Sequence, residues 1–163
     1  MAHKKFFKVR KHDYYYKKAK KEGYRSRASY KLKYINENFG IIKTGDRVLD
    51  LGAVPGGWSQ VALEYTGPSG IVISVDIKKM EPLKGVIFIQ GDFRKPETVE
   101  KIKESLFKKL VTRNSTLVTR HSSLVTRFDV IISDASPNIS GAYSYDHARS
   151  IELAETVFKI AKQ

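Results

Sequence analysis

Arg47-Val-Leu-Asp-Leu-Gly-Ala-Val-Pro-Gly-Gly-Trp-Ser-Gln60 decides the reading of this chain. An apolar run, Arg47 to Leu51, meets a turn rich in glycine, and a helical segment from about Trp58 to Tyr65 follows. A glycine turn between a buried strand and a helix lets a ligand come close to the backbone. It also presents the free N–H groups of the helix start to a negative or polar group. The turn is not the dinucleotide fingerprint G-x-G-x-x-G, because Gly52 and Gly56 are four apart and Pro55 intervenes. It is not a phosphate loop either, since no Gly-Lys-Ser/Thr follows. A smaller, less anionic ligand suits it better.

Outward from this turn, strands and helices alternate. Ile71–Ile77, Val86–Phe93 and Phe128–Asp134 read as strands, and helices are expected from about Glu97 to Leu110 and Tyr145 to Lys162. The strands are continuous Val/Ile/Leu runs, the signature of a sheet covered on both faces. The expected fold is α/β, an open and mostly parallel sheet with helices on both faces, whose ligands sit beyond the carboxyl ends of the strands. Upstream, Ala28, Leu32, Ile35 and Phe39 form a helical stripe closed by Gly40. Lys31 falls about 70° from the centre of that stripe, and Lys33 points nearly away from it. Lys31 therefore either overlooks a cleft or covers the core edge with its stem. The sequence Leu-Val-Thr-Arg recurs at 110–113, 117–120 and 124–127. It is too short for a solenoid and poor in helix formers, so 110–127 reads as an inserted loop, with His121 a solvated residue in it.

The chain has 163 residues, enough for one domain with its own core, and no cysteine, which removes disulfide scaffolds, thiolate metal sites and cysteine nucleophiles. No metal site is expected. The apolar runs are far shorter than the roughly 20 residues of a membrane helix, and the N-terminus has no apolar signal core, so a cytoplasmic protein without membrane contact is expected. The net charge of +13 is concentrated: residues 1–33 hold 13 Lys/Arg against Asp13 and Glu22. Tyr14, Tyr15, Tyr16, Tyr24 and Tyr30 lie among those charges. A basic arm over 1–23 that either meets RNA or is simply solvated precedes a folded domain over 24–163.

Carboxylates stand at three further strand ends. Asp76 closes the second strand about 20 residues past the glycine turn, where nucleoside-binding α/β folds hold ribose hydroxyls. Asp92 follows the third and is placed to accept from an adenine amino group. Asp134 ends the fourth, within Ser133-Asp-Ala-Ser-Pro-Asn138. Each of these acids alone would also serve as a helix cap or turn residue.

Four blocks in order resemble the FtsJ (RrmJ, RlmE) family of S-adenosylmethionine-dependent RNA 2'-O-ribose methyltransferases. They are Arg25-Ser-Arg-Ala-Ser-Tyr-Lys-Leu32, Asp50-Leu-Gly-Ala-Val-Pro-Gly-Gly-Trp-Ser-Gln60, Gly91-Asp-Phe93 and Ser133-Asp-Ala-Ser-Pro-Asn-Ile-Ser-Gly141. The resemblance implies a Rossmann-like methyltransferase fold with S-adenosylmethionine held by Gly56, Trp58, Asp76, Asp92 and Asp134. It implies RNA contacts at Arg25, Arg27 and Lys31, and a uridine ribose of large-subunit (23S) ribosomal RNA as acceptor, with ribosomal RNA or the large subunit as partner and no stable protein partner inferred. Relatives with the same core modify tRNA. The family's catalytic Lys-Asp-Lys-Glu tetrad begins on Lys31 and Asp134. Its second lysine, the family's proton acceptor, lies on a strand after the last helix seen here, and no later Lys or Glu matches; Lys159 and Lys162 are on that helix. On this reading the C-terminal strands are missing and Phe128–Ile132 becomes an apolar edge. Weak cofactor binding, self-association and poor methylation are then expected. A non-catalytic RNA-binding or assembly protein is the alternative.

Overall fold

The computed structural model describes residues 14–113, 127–137 and 140–162. Helices α1 (Tyr14–Lys21) and α2 (Ser29–Phe39) precede β1 (Arg47–Leu51), α3 (Gly57–Thr66), β2 (Ile71–Asp76) and β3 (Val86–Gln90). Then come α4 (Pro96–Arg113), β4 (Val130–Ser133) and α5 (Tyr143–Ala161). The four strands are parallel in the order β3-β2-β1-β4. β1 is thus central, and the chain reverses direction across the sheet after β3, which opens a crevice at the carboxyl ends of β1 and β4. Leu51 is paired with Val75 and with Ser133, so the tips of β1, β2 and β4 finish level with one another.

Alternation along the strands divides the core. Leu49, Leu51, Ile71, Ile73 and Val75 face Ile102 and Leu106 of α4, with Leu153 and Val157 of α5 packed beside them. Val48, Val72 and Ile132 face Leu32 of α2 and Trp58, Val61 and Ala62 of α3. Both faces are covered, as the unbroken apolar runs require. Among the described residues, no helix is long and apolar enough to cross a membrane.

Three local expectations need revision. The buried stripe of α2 is Ser29, Leu32 and Asn36, rotated by about 60° from the expected one. Phe39 is 73% exposed because the chain leaves the helix at Gly40, φ +57°, and Ile42 packs in its stead. The Asn36 amide fixes that exit, donating to the Ile42 carbonyl (3.2 Å) and accepting its N–H (2.7 Å). With the rotation Lys33 turns inward, to 3.3 Å from Glu64 of α3. The first Leu-Val-Thr-Arg copy, 110–113, is not loop but the last turn of α4; the Thr112 hydroxyl donates to the Lys108 carbonyl (2.7 Å), which reconciles a poor helix former with the helix. The other two copies, apart from Arg127, and His121 lie outside the described residues. Finally, residues 14–21 of the basic segment are helical, with Ala19 buried against the fold.

Candidate active site

The glycine turn is laid over the tip of β2. Gly52 and Ala53 both donate to the Val75 carbonyl (2.8 and 3.1 Å), and Val54 N–H donates to Asp76 Oδ2 (2.9 Å). Asp76 Oδ1 takes the Lys78 N–H (2.8 Å). Each Asp76 oxygen thus holds one backbone bond, and a carboxylate has about four acceptor positions. The acid is oriented and still has acceptor capacity. Gly52 has φ +78°, and a Cβ there would stand 2.5 Å from Ala135 Cβ and 3.0 Å from Ala135 Cα. Gly52→Ala is expected to destabilise the fold by about 2–4 kcal/mol, the left-handed backbone and the overpacking together. Urea unfolding measures it, and a loss under about 0.5 kcal/mol would contradict this account.

Asp92 stands past β3 with Arg94 folded onto it, Nε and Nη2 within 2.7–3.1 Å of its oxygens. The guanidinium holds this carboxyl below the ordinary carboxylate range. Asp134 leaves β4 where Ser133 Oγ donates to the Leu51 carbonyl (2.8 Å), tying the two strand tips together. Its Oδ1 lies 2.6 Å from Lys31 Nζ, which crosses from α2, 103 residues away in sequence. The same ammonium sits 5.5 Å from the Trp58 ring centre.

These acids share one cleft. It encloses about 330 Å³, and its wall includes Gly52, Asp76, Asp92 and Asp134 with Ile77, Phe93 and Leu153 as apolar surface. That volume is within the range of small-molecule sites, roughly 300–1,000 Å³. Apolar wall for a flat base, acceptors for ribose hydroxyls and carboxylates for cationic groups make a donor set that fits a nucleoside with a positively charged tail. α5 closes the far side with Arg149, Glu152 and Leu153. Nothing local in the sequence marks those three residues, because only the packing of α5 on the sheet brings them there.

Other expected site residues stand elsewhere. Gly56, φ +103°, caps α3 and backs onto Arg25 and Met80. The Trp58 ring is buried between α2 and α3, its Nε1 donating to the Ala28 carbonyl (2.9 Å). Neither lines the cleft; both build the turn behind it. Arg25 donates to three carbonyls, Pro55 (3.3 Å), Glu81 (2.6 Å) and Pro82 (2.6 Å), and so clamps the glycine turn to the loop after β2. Arg27 is exposed. Beneath the turn, Asp50 is buried and accepts from Ser59 Oγ (2.6 Å), which also meets Ser74 Oγ (2.8 Å). Burial lifts the Asp50 carboxyl to about 7; hydrogen bonds from Ser59 oppose the rise, and repulsion from Asp76 and Asp134 adds to it.

Known proteins resemble this chain in sequence and in fold. The model of the FtsJ-like methyltransferase family matches residues 24–163. The chain belongs to that family. Among similar curated proteins are those called ribosomal RNA large subunit methyltransferase E. That of Methanothrix thermoacetophila is 50% identical over 93% of this chain and 51% of its own length. That of Archaeoglobus fulgidus is 51% identical over 93% and 68%. A crystal structure of a protein assigned as a ribosomal RNA methyltransferase from Plasmodium falciparum superposes with a TM-score of 0.62 at 31% identity. It covers 83% of this chain and 69% of that one. The chain spans about half the length of several of the curated relatives it matches. This FtsJ-like chain therefore has the α/β methyltransferase fold that its glycine turn and strand runs lead one to expect.

Proposed function

We propose that this chain binds S-adenosylmethionine in the cleft and directs the methyl group to a 2'-hydroxyl of RNA, a uridine ribose of large-subunit (23S) ribosomal RNA. The observation that carries the reading is the Lys31–Asp134 pair, 2.6 Å apart, whose carboxylate lines the same cleft as Asp76 and Asp92. Family membership supports the class of reaction, and the relatives' naming supports the RNA. Bound S-adenosylmethionine supplies an electrophilic methyl group on a sulfonium. Asp76 accepts from the ribose hydroxyls of the cofactor, Asp92 from the adenine amino group, and Asp134 receives the cationic methionine end. Gly56 and Trp58 act through the turn they shape. A ribose hydroxyl is a weak nucleophile, so the protein must hold its oxygen in line with the methyl group and manage its proton. Lys31 places a positive charge beside that oxygen, which eases release of the hydroxyl proton to solvent as the methyl group leaves the sulfonium for the oxygen, and Asp134 sets the direction of the ammonium. Arg27 and Lys31 meet the RNA from α2 and the loop before it; Arg25 serves them by holding the turn in place.

Isothermal titration with S-adenosylmethionine tests the cofactor site. Asp76→Ala is expected to lose about 1.5–3 kcal/mol, roughly a 10- to 150-fold rise in Kd. An unchanged Kd in a folded variant would overturn the placement, whereas cofactor binding without transfer to any RNA would favour the non-catalytic reading.

A further inference from the structure

The rings of Tyr14, Tyr15, Tyr30 and Tyr24 form a continuous row from α1, past the first turn of α2, to the loop between the two helices. Successive centroids are 5.4, 5.4 and 5.7 Å apart. The inner two rings are locked by their hydroxyls, Tyr30 donating to Glu22 (2.8 Å) and Tyr24 to both Glu64 oxygens (2.7 and 2.9 Å). Lys18 lies 4.8 Å from the Tyr30 ring centre and Lys33 4.6 Å from that of Tyr24. The outer rings, Tyr14 and Tyr15, are 69% and 53% exposed. α1 also carries Lys17, Lys18, Lys20 and Lys21 and no acid. Its attachment is firm: Ala19 is 2% exposed, and its carbonyl accepts the Tyr24 N–H (2.8 Å). A rigid row of π faces edged by cations is a surface with a definite partner chemistry.

We propose that this tyrosine–lysine row is a landing platform for unpaired RNA nucleotides, bases stacking on Tyr14 and Tyr15 and phosphates meeting the lysines of α1. The proposal rests on the RNA methyltransferase reading and names where the strand leading to the target ribose lies. Tyr30, inside the row, immediately precedes Lys31 in α2, the residue whose ammonium pairs with Asp134. Unpaired nucleotides are the occupant that uses both features at once. Duplex RNA offers phosphates but keeps its base faces stacked, which leaves the rings idle. An anionic membrane needs an apolar face to insert, and α1 offers only tyrosines around a buried alanine.

The test uses fluorescence anisotropy of a short labelled oligouridylate on the whole chain, with cofactor titration in parallel. The double variant Tyr14→Leu/Tyr15→Leu keeps apolar area and helix propensity but removes the π faces. It is expected to bind the oligouridylate about tenfold or more weakly, while Tyr14→Phe/Tyr15→Phe binds as the parent does. Cofactor affinity should be equal in all three proteins. Parent-like RNA binding by the leucine variant overturns the platform, as does tighter parental binding to duplex RNA or to phosphatidylserine vesicles than to the single strand. Failure of the parent chain to bind S-adenosylmethionine overturns the methyltransferase reading instead, and the oligouridylate comparison still judges the platform.

Discussion

Lys31→Ala is expected to lower methyl transfer to RNA by about 10²–10⁴-fold while leaving S-adenosylmethionine affinity within about twofold. The split follows from where Lys31 stands. Its ammonium is 2.6 Å from Asp134 and 5.5 Å from the Trp58 ring centre, yet the side chain is 60% exposed. An ion pair that open contributes only about 0–1 kcal/mol to folding, so the variant should fold and melt as the parent does. What disappears, on the proposed function, is the positive charge beside the attacking oxygen. Lys31→Arg keeps the charge in a planar group that cannot take the same position, and an intermediate rate is expected. Single-turnover transfer of labelled methyl groups, with calorimetry of the cofactor, measures both arms. Transfer at the parental rate in Lys31→Ala would remove Lys31 from the chemistry.

Asp50 should make folding stability fall as the solution is made less acidic. Its carboxyl titrates near 7 in the folded chain, chiefly through burial, against 3.8 for an ordinary aspartate. Between those values the folded state holds a proton that the unfolded state has released, so stability decreases as pH rises. The difference of about three units is worth roughly 4 kcal/mol, present below pH 4 and lost by about pH 8. That is a large share of a typical 5–15 kcal/mol. Asp50→Asn accepts from Ser59 as the acid does but cannot ionise. Its stability is expected to stay near level over the same range while the parent's declines. Urea unfolding at pH 5 and pH 8 checks this; parallel curves for the two proteins would mean that Asp50 ionises freely.

Asp50 also shows why part of the site was hidden from sequence reasoning. The run Val48-Leu-Asp-Leu51 reads as a buried strand, and it is one, but an aspartate inside it carries no sign of its partners. Ser59 reaches it only because α3 returns over β1, and Ser74, which meets the Ser59 hydroxyl, stands beside it only because β1 and β2 pair in parallel. Asp76, Asp92 and Asp134 were visible, since each follows an apolar run and the ends of parallel strands finish on one side. Arg25 shows another hidden contribution. Its motif reads as a cation offered to RNA, and nothing in that motif marks the three backbone carbonyls to which two of its nitrogens donate.

The amino-acid order by itself determined the α/β alternation, the buried two-faced sheet, the glycine turn after β1 and the acids at the strand tips. These depend on residues close together in the chain, on side-chain period and on the backbone freedom of glycine. Tertiary structure alone decided that α2 rotates to seat Asn36 inward, that Lys31 lands on Asp134 across 103 residues, and that α5 walls the cleft. It also decided that four tyrosines, from two helices and the loop between them, share one row. Such contacts join segments whose meeting is fixed by packing, and no local pattern encodes the angle at which two helices settle on a sheet.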